Sequence, residues 1–505
     1  MTNRSAQVIG RALLVSAAFL ALYALGAQRG MSWQDSGEFQ FRVLAGDLTW
    51  HSGIARAHPG YILAASAFAR LLGFVSGGAI DAVFATTLFS SFAMGVALFL
   101  LFVVVHRATG RDDAALLAAV TLGLAHMVRW MATMAEVYAP SLAFSMGELL
   151  LLDFAVRSPR RRGILLPLLF LASGAHFSFH NFALLNLPVY AVAAACLLKP
   201  GNRAIRSLGV SLACLLLFAL GSLPILRLAA LEAGNGAGLA DILRSILFGS
   251  DYRNVVLGLA KTPFSRIAAS YGLAALSILA PAWLFAARGM GAKAAEGQTP
   301  AMRRALGALT IIHAVFWCRY FVPDQATFIL PLLGYLAVWA GIGSAALSRT
   351  ALRRILVVSA AVQLLVPPLA LAAARRSDLC QRVLAARREV PFRDEAAYWL
   401  LPWKQREKSA EAFAKAALLE MPAGGTLYAD STTAPPLMML ERAGGSEGLG
   451  FRLATPWTSE APPSPDETAC FAVSRQAPYL PPAWRSGVRF EKTGAIHRVL
   501  TESDK

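Results

Sequence analysis

Long apolar runs, each ended by a short polar, Gly-rich or Pro-rich stretch, fill the first three quarters of the chain. A helix crossing a bilayer needs roughly 20 apolar residues, because backbone groups that cannot reach water must bond within the helix. The pattern predicts helices near residues 8–27, 80–105, 112–128, 138–156, 163–175, 181–198, 207–229, 264–287, 305–318, 326–347 and 352–374, or about eleven spans. The run from Val8 to Ala27 lacks a convincing small-residue cleavage site and precedes many further spans, so it reads as a retained helix. Gly60 to Phe74 is apolar but short for a crossing, and it follows the polar cluster Arg56, His58, Pro59.

From Arg375 the pattern changes: charges become denser and prolines cluster. Gly425 to Ala429 reads as a strand ending at Asp430, before a helix-like stretch from Pro435 to Arg442. The expected fold is therefore mainly α. A polytopic transmembrane helical bundle over residues 1–374 carries a small α/β domain over residues 375–505.

Composition narrows the class. The chain is 56% hydrophobic and 15% charged, with a mean hydropathy of +0.52, whereas soluble domains carry about 25% charged residues. A soluble enzyme is excluded. The formal charge of +17 does not point to nucleic acid, because Lys and Arg fall in short clusters between apolar runs. If Gly60 to Phe74 lies along the interface, every strongly basic short loop falls on one side, from Arg4 and Arg11 to Arg349, Arg353 and Arg354. The positive-inside rule makes that side cytoplasmic. The N-terminus is then cytoplasmic, and the loops near 28–79, 129–137, 176–180, 230–263 and 319–325, with the tail, face the periplasm or lumen. A bacterial inner membrane is the expected location. In such a compartment Cys380 and Cys470, both in the tail, would be the pair open to disulfide formation.

Candidate chemistry concentrates in Trp33-Gln34-Asp35-Ser36-Gly37-Glu38-Phe39, followed by Arg56-Ala57-His58-Pro59-Gly60-Tyr61. Two carboxylates three residues apart lie near a basic and a histidine side chain, and ionisable groups at a membrane boundary are costly unless solvated, paired or used. The plain alternative is a capping box, with Asp35 capping a helix and Glu38 in its third position. Spacing does not separate the two. Trp33 has an interfacial reading and a sugar-stacking one. A Walker-type loop, a dinucleotide fingerprint and a zinc motif are all missing from the sequence.

Asp-Ser-Gly-Glu-Phe followed by His-Pro-Gly-Tyr resembles the signature of membrane proteins related to protein O-mannosyltransferases, within the GT-C glycosyltransferase superfamily. Further stretches resemble that family in order: Thr133 to Tyr138, Gly174 to His180, Phe321 to Gln325 with Pro331, and Tyr428 to Pro436. The chain has one proline after the histidine where the family has two, and Ala175, His176 and Phe179 depart from its usual residues.

The resemblance implies a GT-C-like fold and transfer of a sugar from a polyprenyl-phosphate donor to a protein, lipid or glycan acceptor. The family's essential acid in the first outer loop corresponds to Asp35. With Asp35 as general base, Glu38 would orient Asp35 or the acceptor. Arg56, His58, His180 and Arg319 are candidates for stabilising the departing phosphate. Glu136, Tyr138 and Asp324 are candidates for binding substrate. Each has a structural alternative: Arg56 and Arg319 as interfacial anchors, His180 bonding a helix-end carbonyl, Glu136 and Tyr138 at a helix start, Asp324 as a cap. Asp430 reads as a turn residue. No cofactor beyond the donor lipid is expected; a divalent metal between Asp35 and Glu38 is compatible with their spacing but is not required by the resemblance. Membrane lipids are expected partners and nucleic acid is not. The competing class is a transporter or flippase of a lipid-linked saccharide, which would show inverted halves and broken helices.

Overall fold

The computed structural model describes residues 3–198, 204–249, 253–256, 263–291, 299–322, 325–385, 390–444, 449–457, 463–465 and 468–501. The first part of the bundle comprises α1 (Asn3–Gly26), α2 (Gln34–Ala45), α3 (Ile54–Ala57), α4 (Pro59–Val75), α5 (Ala82–Thr109), α6 (Asp112–Leu124), α7 (His126–Ala132), α8 (Tyr138–Arg157), α9 (Arg162–Phe179) and α10 (Phe182–Leu197). It continues with α11 (Ala204–Gly221), α12 (Leu223–Gly234), α13 (Leu239–Phe248), α14 (Arg253–Val256), α15 (Phe264–Ala275), α16 (Leu284–Gly291), α17 (Pro300–Arg319), α18 (Leu330–Ser344) and α19 (Arg349–Arg376). The helix α5 is central. Its start is capped by Asp81, which accepts from Phe84 N at 2.7 Å, and it packs against α1, α4, α6 and α8.

Among the described residues, six segments are long and apolar enough to cross a membrane: Ser5–Gly26, Ala82–Thr109, Tyr138–Arg157, Pro159–Phe179, Gln325–Ser344 and Arg349–Arg376. Two more spans form only if bent pairs count as one each, α6 with α7 at 68° and Ser207–Gly221 with α12 at 69°. The stretch at 181–198 folds as the shorter α10, while α17 has 20 residues but carries Arg303, Arg304 and Arg319. The expected helix at 264–287 is divided into α15, a 3-10 turn at Pro281–Trp283 and α16. Pro281 lacks an amide hydrogen and disfavours helical backbone at the residue before it, so the break falls there.

The last part holds α20 (Asp378–Ala385), α21 (Glu395–Leu400), α22 (Ser409–Glu420) and α23 (Ala434–Ala443) with β1 (Thr426–Tyr428), β2 (Arg452–Ala454), β3 (Cys470–Ala472), β4 (Val488–Thr493) and β5 (Ile496–Thr501). These strands form one sheet in the order β2-β1-β3-β5-β4. β1 runs parallel to β2 and β3, while β5 is antiparallel to β3 and β4. Cys380 and Cys470 are both free thiols, so the disulfide is not formed; Cys470 is buried within the sheet.

This part does not hang free of the bundle. Lys404 N donates to Gly26 O at 2.7 Å, Thr133 Oγ1 donates to Pro402 O at 2.8 Å, and α23 packs against α2. Those contacts set the position of the first candidate carboxylate.

Candidate active site

The helix α2 carries both acidic candidates and begins without a side-chain cap. Its N-cap is Trp33, which makes no capping hydrogen bond, and Asp35 already lies within the first turn. The capping-box reading of Asp35 and Glu38 is therefore set aside. The entry to α2 is held by the C-terminal part of the chain instead. Gln34 takes a positive φ of 55°, and its amide donates to Thr432 O at 3.2 Å. Thr432 is presented by a turn in which Asp430 Oδ1 accepts from Thr432 N at 2.7 Å, the turn role expected for that aspartate.

Gly37 explains the small residue between the two acids. A Cβ there would collide with Ser32 O and stand 2.9 Å from Pro435 Cβ on α23. Gly37→Ala is expected to push α2 off α23 at a cost of about 1–3 kcal/mol. A lowered melting temperature of the solubilised protein, together with faster proteolysis between residues 400 and 434, checks this; an unchanged melt would remove the close-contact account.

The two carboxylates occupy different environments. The Asp35 side chain is 49% exposed and meets Arg56 Nη2 at 3.4 Å, whereas that of Glu38 is 6% exposed and meets Arg42 Nη1 at 3.3 Å. Only Asp35 is open to a reacting group. Arg42 was not singled out from the sequence, although its place one turn after Glu38 is the signal for an i,i+4 pair. It is fully buried, donates to Ala57 O and Leu48 O, and lies 5.1 Å from the Trp50 ring. One guanidinium thus ties α2 to the loop that delivers Arg56 to Asp35.

Burial, and then the neighbouring Asp35 charge, push the Glu38 carboxyl up to about 8, against the pull of Arg56 and Arg42. The native state therefore keeps a proton that the unfolded chain releases above about 4.5. The stability this group contributes is full below pH 4.5, declines as pH rises, and is gone above about 8. Melting curves at pH 5, 7 and 9 should show this decline, and Glu38→Gln should flatten it; an equally steep decline in the variant would assign the effect elsewhere.

A second group forms where α4 meets the end of α9. His58 stands at the α4 N-cap with φ 43°, Pro59 follows at the first helical position, and Gly60 lets the chains approach. A Cβ at Gly60 would lie 2.8 Å from Ser178 Cβ. His58 Nδ1 donates to Phe179 O at 2.9 Å, and its ring stacks on His180 at 5.3 Å and 15°. His180 Nδ1 accepts from Phe182 N at 3.1 Å, rather than bonding a helix-end carbonyl, and Tyr138 lies 5.4 Å from the His180 ring. Burial, with Arg42 next, lowers His58 to about 3, and burial with His58 and the other nearby histidines lowers His180 well below its ordinary value. Both rings are neutral near pH 7. Arg56 is the cation beside Asp35.

Glu136 reaches the same helix from the other side. Ser36 Oγ donates to Glu136 Oε1 at 2.6 Å, and the Glu136 amide donates to Ser90 Oγ at 2.9 Å. Arg319, at the end of α17, is exposed and makes no hydrogen bond or ion pair to the other candidates among the described residues. Asp324 lies outside the described residues. Trp33 is not a sugar platform: it is fully buried, donates to Ser409 Oγ at 2.7 Å and packs on Phe413 at 5.3 Å. Among the described residues, no group of three or more His, Cys, Asp or Glu side chains is placed to hold a metal ion.

The same architecture occurs in a solved structure. The chain has the fold of ArnT. The crystal structure of ArnT from Cupriavidus metallidurans bound to undecaprenyl phosphate matches over 97% of both chains, with a TM-score of 0.57 and 14% identity. Its apo state matches over the same shares, with a TM-score of 0.57 and 13% identity. A weaker match, at a TM-score of 0.44 and 15% identity, covers 82% of this chain and 29% of the arabinofuranosyltransferase AftD from mycobacteria. No protein-family model matches the sequence, and neither does any curated protein. The mainly helical bundle with a small C-terminal sheet, a fold shared with ArnT, agrees with the fold class expected from the sequence.

Proposed function

We propose that the chain is an integral membrane glycosyltransferase that moves a sugar from a polyprenyl-phosphate donor to an acceptor on the non-cytoplasmic face. The carrying observation is the exposed Asp35–Arg56 pair, anchored by a buried Glu38–Arg42 pair. The fold of ArnT, solved with undecaprenyl phosphate, supports a polyprenyl phosphate as the lipid carrier.

The reaction is a direct, inverting displacement. Arg56 pairs with Asp35 until the donor arrives, then turns to the lipid phosphate and leaves the carboxylate free. Asp35 takes the proton of the acceptor hydroxyl as that oxygen bonds to the anomeric carbon. The bond from that carbon to the phosphate oxygen breaks, and the phosphate departs with the electron pair toward Arg56. Glu38 holds Arg42 and shapes the field at Asp35. A protein Ser or Thr hydroxyl is one acceptor of the required chemistry, in line with the resemblance to the O-mannosyltransferase group. A bacterial inner membrane, with a cytoplasmic N-terminus and the sheet domain in the periplasm, suits a donor of this class.

One observation favours the transporter alternative: the two bent helix pairs are the kind of break that transporters place around a substrate. Purified protein in proteoliposomes with labelled undecaprenyl-phosphate hexose separates the readings. Label transferred to a water-soluble hydroxyl acceptor supports the enzyme; lipid-linked label that only changes leaflet supports the transporter and removes the enzyme.

A further inference from the structure

Beneath the site, inside the bundle, six polar side chains from five helices bond to one another. Ser141 and Glu148 lie on α8, His176 on α9, Asn186 on α10, His313 on α17 and Tyr335 on α18, all buried with at most 1% exposure. His176 Nδ1 donates to Glu148 Oε1 at 3.0 Å, while its Nε2 accepts from Ser141 Oγ at 2.7 Å. Asn186 Nδ2 donates to Glu148 Oε2 at 2.9 Å. Asn186 Oδ1 in turn accepts from His313 Nε2 at 2.8 Å and from Tyr335 OH at 3.1 Å.

Ionisable groups inside a bilayer are costly, and well-packed apolar residues of similar volume hold helices at least as firmly. Cohesion alone does not account for this network. A bonded polar network instead selects one register and one rotation for each helix it joins. The helices joined are those whose ends build the ring cluster at the site. Ser141 lies one turn from Tyr138 on α8, and His176 one turn from His180 on α9. Asn186 lies one turn from Phe182, whose amide bonds the His180 ring. The His313 ring also meets Phe182 edge-on at 5.7 Å. None of the six side chains is reachable by a substrate, so any effect passes through these neighbours.

We propose that Ser141, Glu148, His176, Asn186, His313 and Tyr335 form a positioning frame that fixes the His180 and Tyr138 rings against His58 at the candidate site. That these rings serve a lipid-phosphate substrate rests on the proposed function; that the frame orients them does not.

The test uses the full-length protein in nanodiscs and two readouts. One is modification of His180 and His58 by diethyl pyrocarbonate, mapped by mass spectrometry, and the other is affinity for undecaprenyl phosphate. Glu148→Gln puts a second amide opposite Asn186, and Tyr335→Phe removes one bond without changing volume, which keeps a folded variant in hand. Tyr23→Phe is the control: Tyr23 is equally buried and donates to Gly123 O at 2.8 Å, outside the frame. Both frame variants should label His180 several-fold faster and bind undecaprenyl phosphate about tenfold more weakly, since small misplacements of site groups carry effects of at least this size. Tyr23→Phe should change neither, even where it lowers the melting temperature. Unchanged His180 labelling in both frame variants, or equal labelling in Tyr23→Phe, overturns the frame. A parent protein that does not bind undecaprenyl phosphate, with labelling still faster in the frame variants, leaves the frame standing and removes the donor assignment.

Discussion

Replacing Asp35 with asparagine is expected to lower sugar transfer by about 10²–10⁴-fold, the range general-base catalysis contributes, while undecaprenyl phosphate binding changes little. Asparagine keeps the shape of the side chain but cannot accept the acceptor proton. The fold should survive, because Asp35 is half-exposed and caps nothing, and its partly exposed pair with Arg56 contributes about 1 kcal/mol or less. Single-turnover transfer with labelled undecaprenyl-phosphate hexose, beside a melting curve and a lipid-binding measurement, separates chemistry from folding. Transfer at the parental rate would sink Asp35 as the base. Transfer and binding lost together, with the fold intact, would make Asp35 a donor-binding residue instead.

The second large effect is expected at a residue that touches no substrate. Arg42→Met should destabilise the protein by about 2–5 kcal/mol, because the buried carbonyls that Arg42 bonds are left unsatisfied at about 1–3 kcal/mol each. Methionine fills much of the space but leaves the Ala57 and Leu48 carbonyls without the guanidinium and withdraws the cation beside Glu38. Two consequences follow. The loop carrying Arg56 loosens, so transfer falls beyond what the melting temperature alone explains. The Glu38 carboxyl also loses one of the cations that hold it down, which moves the pH-dependent part of the stability curve to higher pH. Arg42→Lys should recover the charge but not the loop, because an ammonium cannot span Glu38 and both carbonyls as a planar fork does. Melts at several pH values check all three; an Arg42→Met protein as stable as the parent would show that the loop is held by other contacts.

The transporter-like breaks and the enzyme-like carboxylate are not in conflict physically. Helix ends inside a membrane leave unpaired backbone groups that must meet protein or ligand. At the first break Met127 N finds Ser277 Oγ at 3.0 Å, and at the second Ser222 Oγ donates to Phe218 O at 2.9 Å. The groups at these bends are supplied from within the protein, which fits bends that shape a fixed bundle.

Much of the architecture is written in local pattern. Apolar runs long enough to span a bilayer announce themselves residue by residue, as do the shift in composition after Arg375, the strand before Asp430 and the helix beyond it. The window around Asp35 and Glu38 also stood out, since charge beside an apolar run needs a reason. Spacing could not say whether Asp35 capped α2, because a cap depends on where the helix begins, and contacts with Thr432 and Pro435 on distant parts of the chain hold that beginning in place. Pro281 marked the break before it and Pro224, in the first turn of α12, the bend at Ser222, but the bend at Ala125 carries no comparable signal.

Pairings between distant residues were the least legible. Ser36 with Glu136, His58 with Phe179 O and His180, and the frame from Ser141 to Tyr335 join positions between 28 and 149 residues apart. Burial and hydrogen bonding are properties of those neighbourhoods, and hence so are the neutrality of the histidines, the elevated Glu38 and the choice of Arg56 as the cation. A one-dimensional pattern carries the periods and lengths that select helices and sheet; it does not carry which side chain turns toward which, and the division of labour between Asp35 and Glu38 depends on that.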